Sequence, residues 1–174
     1  MNDTVITIVA IFLGTILMFI FPLMSVSERS DDISQLTVQT ATSEFANAVT
    51  TTGRISLSDY QKLISTLSAT GNSYDVEMEV KILDENIGKK SAWTTGTVIG
   101  ENSSYSVGTS QIVEEIQEKG SYSLKEGDTF IVRVKNTNKT LAQTIRGAFY
   151  SVTGSDNYSI ASQASGMVQA NGSN

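Results

Sequence analysis

The side chains in this sequence that could do chemistry are carboxylates, and they fall in two groups. Asp75, Glu77 and Glu79 alternate in "SYDVEMEVKIL", and Glu114, Glu115 and Glu118 cluster in "SQIVEEIQEKG". Carboxylates gathered on one face can hold a hard cation or meet a basic partner. The same spacing also describes a solvated face, which on a strand keeps an edge from pairing with another chain. The solvated reading is preferred for both groups. "GSDNYS" at Gly154–Ser159 offers Asp156 and Asn157 to calcium, but it lacks the length of an EF-hand loop and is read as a turn.

What is missing narrows the function further. The chain has no Cys and no His, so disulfides, thiolate chemistry, the commonest general base and the commonest transition-metal ligand are all absent. There is no Walker-type glycine loop and no G-x-S-x-G elbow. A paired-carboxylate glycosidase wants an aromatic cleft, and Trp93 has no aromatic cluster near it in the sequence. No catalytic residue, cofactor or metal is expected. A net charge of −6 without a basic cluster argues against nucleic acid as a partner. Five N-x-[ST] matches (Asn2, Asn102, Asn138, Asn157, Asn171) are expected by chance in a chain rich in Asn, Ser and Thr.

The interest therefore moves to the elements. After a short flank at residues 1–4, Val5–Met24 is 20 residues without a charge, with Thr7 and Thr15 its only polar side chains. As a helix it would be roughly 30 Å long, the thickness of a bilayer's hydrocarbon core. Both threonine hydroxyls can bond back to the helix's own carbonyls. Three readings are open: a cleaved export signal with "SVS" at Ser25–Ser27 as the cleavage site, a retained anchor, or a spine that packs into a filament. The length of the apolar run and the absence of Lys or Arg before it favour retention over cleavage. Charge gives no orientation, because Arg29 sits among Glu28, Asp31 and Asp32. The size and Ser/Thr-rich character of the remainder place it outside the cytoplasm, at the cell surface. Gly14 and Pro22 inside the run suit a helix that packs against copies of itself. Both residues are also simply commoner in membrane helices.

The helical period continues through Ile33, Leu36, Val38, Ala41, Phe45, Ala48 and Val49, so residues 25–53 read as an amphipathic extension stopped by Gly53. Residues 54–170 read as an α+β head with a sheet of three to four strands covered by helices on one face, and 171–174 as a tail. Ser56 or Ser58 caps a helix carrying Leu57, Tyr60, Leu63, Ile64 and Leu67, ended by Gly71. Tyr74, Val76, Met78, Val80 and Ile82 form the inner face of a strand. "DENIGKK" turns into a weaker strand at Ala92–Ile99. Ser110 caps a helix on Ile112, Val113 and Ile116, ended by Gly120. Phe130, Val132 and Val134 point inward from a second clear strand. A helix follows through Leu141, Ile145, Phe149 and Val152, and "NYSIASQASGMVQA" closes the sheet.

Taken together, Gly14, Pro22 and Asp3 in an apolar opening resemble the frame of type IV pilin spines. The head segments "TTGRISLSDYQKLISTLSATGNSYDVEMEVKILDEN", "LKEGDTFIVRVKNTN" and "YSIASQASGMV" resemble the pilin-like, TadE-type proteins of Gram-positive tight-adherence pilus loci. The resemblance covers most of the chain. It implies a pseudopilin: a membrane-anchored minor subunit or accessory protein of pilus assembly. Its partners would be the lipid membrane, other pilin-like subunits or the assembly platform, and copies of itself. The family's near-terminal glutamate is replaced here by Val5, with Asp3 as its stand-in by analogy. The runner-up, from a different class, is a single-pass surface domain that binds a ligand or partner without forming a filament.

Overall fold

The computed structural model describes residues 2–83, 104–150 and 159–172. One helix, α1 (Asn2–Thr52), runs unbroken through Pro22 for 51 residues, about 75 Å at the usual rise. Thr7 and Thr15 donate their hydroxyls to the carbonyls of Asp3 and Ile11 at 2.8 Å, so neither leaves a polar group bare on the apolar surface. Gly53 ends the helix in the left-handed region at φ 66°. A Cβ there would lie 2.0 Å from the Ala170 carbonyl oxygen, so Gly53 also makes room for the chain's last described segment to cross the helix end.

The head follows as β1 (Arg54–Ser56), α2 (Leu57–Ser68), β2 (Tyr74–Leu83), β3 (Ser104–Gly108), α3 (Thr109–Lys119), β4 (Ser121–Ser123), β5 (Thr129–Asn136), α4 (Leu141–Tyr150) and β6 (Ala161–Met167). β1 and β4 make a small antiparallel pair. The main sheet has the order β3-β2-β5-β6, antiparallel throughout. Val76, Met78 and Val80 lie opposite Val134, Val132 and Phe130, and all six are buried in one core with Phe45, Val49, Ile112 and Ile116. Each large apolar side chain buried this way contributes about 1.5–3 kcal/mol of transfer free energy.

Ser56 is the N-cap of α2, accepting from the Asp59 amide at 3.1 Å while its hydroxyl reaches the Asp59 carboxylate. The first helix of the head thus starts where expected, but it ends earlier, at Ser68 with Ala69 as its cap. Ser110 does not cap α3: the helix begins two residues sooner, at Thr109, with Gly108 as N-cap. The Thr109 hydroxyl is spent instead on β2, accepting from the Met78 amide at 2.7 Å and donating to the Met78 carbonyl at 3.1 Å. In α4 the inward position is Ala142, whereas Leu141 is 56% exposed, because the helix presents its Ala142 and Arg146 side to α1. The expected strand at Ala92–Ile99 with Trp93, the turn before it, Val152 and the Gly154–Asn157 part of the acidic turn lie outside the described residues. So does the side chain of Phe149.

The acidic face of β2 meets basic residues across the sheet. β2 lies between β3 and β5, but β3 pairs only with Glu79–Leu83, so Asp75 and Glu77 stand on a stretch that, among the described residues, has β5 alone as its strand partner. Asp75 and Glu77 stand opposite Lys135 and Arg133 of β5, and Arg133 lies 3.5 Å from Glu79, an arrangement in which cross-strand charges attract.

Burial, and after it the charges of Glu115, Tyr105 and Asp128, raises the Tyr122 phenol above its ordinary 10.0. The unfolded phenol ionises near that value while the folded one still holds its proton, so this contribution is complete below pH 10.0 and declines as pH rises toward the folded value. Denaturation midpoints should fall as pH rises above 10.0, and Tyr122→Phe should flatten that slope. An identical slope in the variant would assign the loss to other groups.

Candidate assembly surface on the long helix

α1 has two faces. Ser27, Asp31, Ser34, Val38, Thr42, Phe45 and Val49 are buried, and at 100° per residue they share one side of the helix. Phe45 meets Phe130 edge-on at 5.8 Å. This places Phe45, which on the amphipathic extension was a candidate for contact between assembling helices, in the head core. Val26, Ile33 and Leu36 occupy roughly the opposite side and are 68%, 60% and 65% exposed. They continue in line with Met18, Phe19 and Pro22 of the apolar run. All of Val5–Met24 lies outside the head, and α1 carries the one stretch among the described residues long and apolar enough to cross a membrane. Three apolar residues, with Arg29 between Val26 and Ile33, therefore continue about three turns past the charge-free span on the side turned away from the head.

The first buried position, Ser27, comes less than one turn after Met24, and four attachments hold the head from there upward. Glu28 accepts from Arg146 Nε at 3.1 Å and from its Nη2 at 2.7 Å. Thr140 donates to the buried Asp31 carboxylate at 2.6 Å. The same Thr140 caps α4: its hydroxyl accepts from the Gln143 amide at 3.2 Å, and the Gln143 side chain accepts from the Thr140 amide at 3.1 Å. This reciprocal box was visible as T-x-x-Q in the sequence and passed unread. Gln35 brackets Ala161, donating to its carbonyl at 2.8 Å and accepting from its amide at 3.0 Å. At the far end the Gln169 amide donates to the Thr50 carbonyl at 2.8 Å. Between these points the inward residues of β6 are Ser162, Ala164 and Gly166, small enough for the helix to lie directly on the strand. A Cβ at Gly166 would come 3.0 Å from the Thr50 methyl.

Asp3 is in the first turn of α1, where a negative charge suits the helix dipole. A Cβ at Gly14 would meet nothing within 4 Å, and Pro22 is exposed. These three positions face away from the rest of the chain. A cleft between α1 and α2 holds about 60 Å³ and is lined by Ala41, Glu44, Phe45, Asp59, Lys62 and Leu63 among others. That is well below the ~300–1,000 Å³ of small-molecule sites. Glu115 of the second carboxylate group pairs with Lys119 at 3.0 Å, one turn along α3.

No family model, no characterised protein and no solved structure matches this chain.

The attachments differ in worth. The Glu28–Arg146 pair is a third or more exposed on both sides and should contribute under about 1 kcal/mol. The buried Asp31–Thr140 bond to a charged acceptor should contribute about 1.5–3 kcal/mol. Asp31→Ala should accordingly destabilise the head more than Glu28→Gln in chemical denaturation, and should speed amide exchange in residues 141–147. The reverse order would mean that the ion pair, and not the capped threonine, holds α4.

Proposed function

We propose that this protein is a membrane-anchored, pilin-like subunit of a surface filament or of the apparatus that builds one, with its head outside the cytoplasm. What carries the reading is the doubled character of α1. One side of its upper half is filled by the head, while on the other side Val26, Ile33 and Leu36 stay uncovered in line with the membrane-length segment below, around Arg29 and up to the polar Thr40. A simple stalk needs no apolar residues once it has left the lipid, since exposed Val, Ile and Leu gain nothing from water. A helix that moves from bilayer into a bundle of its own kind uses apolar contacts beyond the lipid, which Val26, Ile33 and Leu36 offer. It also needs a head that turns with it as one body. The attachments from Glu28 to Thr50 supply that rigidity, with no linker between spine and head. Gly14 and Pro22, open on the outer surface, are where neighbouring backbones would approach and where the helix would bend.

The family resemblance of the opening and of the head segments points the same way. In this reading the partners are lipid, other pilin-like subunits or their assembly platform, and copies of the chain itself. Chemistry plays no part in it.

The test is substitution on the outer face. Gly14→Leu, Pro22→Ala and Ile33→Glu should each leave the chain in the membrane fraction, with the head's circular dichroism unchanged. Each should lower recovery of oligomers or of co-purifying pilus components at least ten-fold. If all three are silent in every assay while the protein stays anchored, the single-pass surface domain becomes the better reading.

A further inference from the structure

The edges of the main sheet carry a consequence of their own. The Asn136 amide donates to Ile160, and the Val168 amide to Asp128, so the even-numbered residues of β6 bond to β5. Ala161, Gln163, Ser165 and Met167 therefore turn their amides and carbonyls to the outer edge. Gln35 takes both groups of Ala161, and the next outward position beyond the strand, Gln169, donates to Thr50. Gln163, Ser165 and Met167 are left open between the two closures, without a backbone partner among the described residues.

The opposite edge is built alike. Thr137 donates to the Ser73 carbonyl, which places the odd residues of β2 toward β5 and the even ones toward β3. Thr109 occupies Met78, while Val80 and Ile82 pair with Val107 and Tyr105. The residues of β3 facing outward are then Ser104, Ser106 and Gly108. Among the described residues each edge thus offers a window of three outward positions, Gly108 by its amide alone since its carbonyl starts α3. Neither "ASQASGM" nor "SYSVG" contains a charge or a proline, the usual guards of an exposed edge.

Direction decides what fits these windows. β6 runs with α1, since Gln35 meets Ala161 and Thr50 meets Gln169. In a four-stranded antiparallel sheet β3 runs against β6. Two copies anchored in the same bilayer therefore present a β6 and a β3 that are antiparallel to each other, with their helix layers on the same face. Antiparallel pairing of β6 with β6, or of β3 with β3, would point one anchor out of the membrane.

We propose that the head extends its sheet from copy to copy, the β6 edge of one pairing antiparallel with the β3 edge of the next. Gln163, Ser165 and Met167 lie opposite the neighbour's Gly108, Ser106 and Ser104. The contact is head-to-tail and does not close on itself, so it generates rows. It rests on the reading of α1 as a membrane-inserted helix, which fixes the relative direction of the copies.

The chain contains no cysteine, so introduced pairs report without background. Ser165 and Ser106 would form a hydrogen-bonded pair with Cα atoms about 5.5 Å apart, within disulfide range. The full chain is reconstituted in phosphatidylcholine vesicles and oxidised. Ser165→Cys mixed with Ser106→Cys should give disulfide dimers, and the double variant a ladder, while each single variant alone stays monomeric. Adding Met167→Pro removes one edge amide while leaving the bonds to β5, and should lower the cross-linked yield at least ten-fold. The proposal is overturned if the mixture gives no dimers, if Ser165→Cys alone dimerises as readily, or if Met167→Pro leaves the yield unchanged. Ile33→Cys in the same vesicles reports contact through the outer helix face separately. Cross-linking there without any at the serine pair sinks the sheet contact alone, and the opposite result sinks the helix contact alone. Vesicle flotation checks the anchor independently.

Discussion

The packing of one side of α1 onto the inner face of the sheet is the constraint on which everything else in the molecule depends. Helices in proteins owe most of their stability to packing and not to local propensity, and the half of α1 beyond Met24 has its partner in the head. That partner is the core around Phe45, Val49, Phe130 and Val132. The close fit over Ser162, Ala164 and Gly166 is possible because the strand beneath the helix carries almost no side-chain bulk. A larger residue at Gly166 would push against Thr50 and lift the helix from the strand. The polar clamps at Gln35, Asp31 and Thr50 then fix the helix lengthwise, which apolar packing by itself does poorly because it is non-directional.

Fixing the helix in this way has two results. It joins the apolar segment to the head with no joint, so force or displacement at one end is transmitted to the other. It also fixes which surfaces remain outside. On the helix these are Val26, Ile33 and Leu36; on the sheet they are the two uncharged edges. The charges of the head are concentrated on the solvent face of the central strands, where Asp75, Glu77 and Glu79 face Lys135 and Arg133. Arg133 donates to Gln163 of β6 and Glu79 accepts from Ser106 of β3, so a charged side chain reaches one residue of each edge.

Much of this architecture was legible in the residues. Alternation over ten residues marks β2, eight residues of "TFIVRVKN" mark β5, and both are long enough for a period of two to be unambiguous. The extent of α1 followed from uninterrupted apolar and then amphipathic spacing, closed by Gly53. β1 and β4, with three residues each, and Ser-rich β3 were not legible. They carry too few side chains for a period to show, and they exist because neighbouring backbone is there to pair with them. The outward side of α4 was misassigned because Leu141 is the larger residue, while packing against α1 selects the smaller Ala142. The role of the β2 carboxylates depended on strand order, which no local pattern contains. Of the candidate surface, Gly14, Pro22 and Asp3 were visible by type. The outer stripe was hidden inside a generic amphipathic pattern, since Ile33 and Leu36 on one side and Val38 and Phe45 on the other both count as apolar.

The central claim, that membrane-length segment and head are one rigid body, is open to a single distance. Spin labels at Met18 and Glu44 on the full chain in vesicles are separated by 26 residues of helix, about 39 Å at the standard rise. Pulsed electron resonance should give one narrow distribution near that value. A broad distribution, or one centred well below it, would reveal a hinge between the two segments and contradict the account.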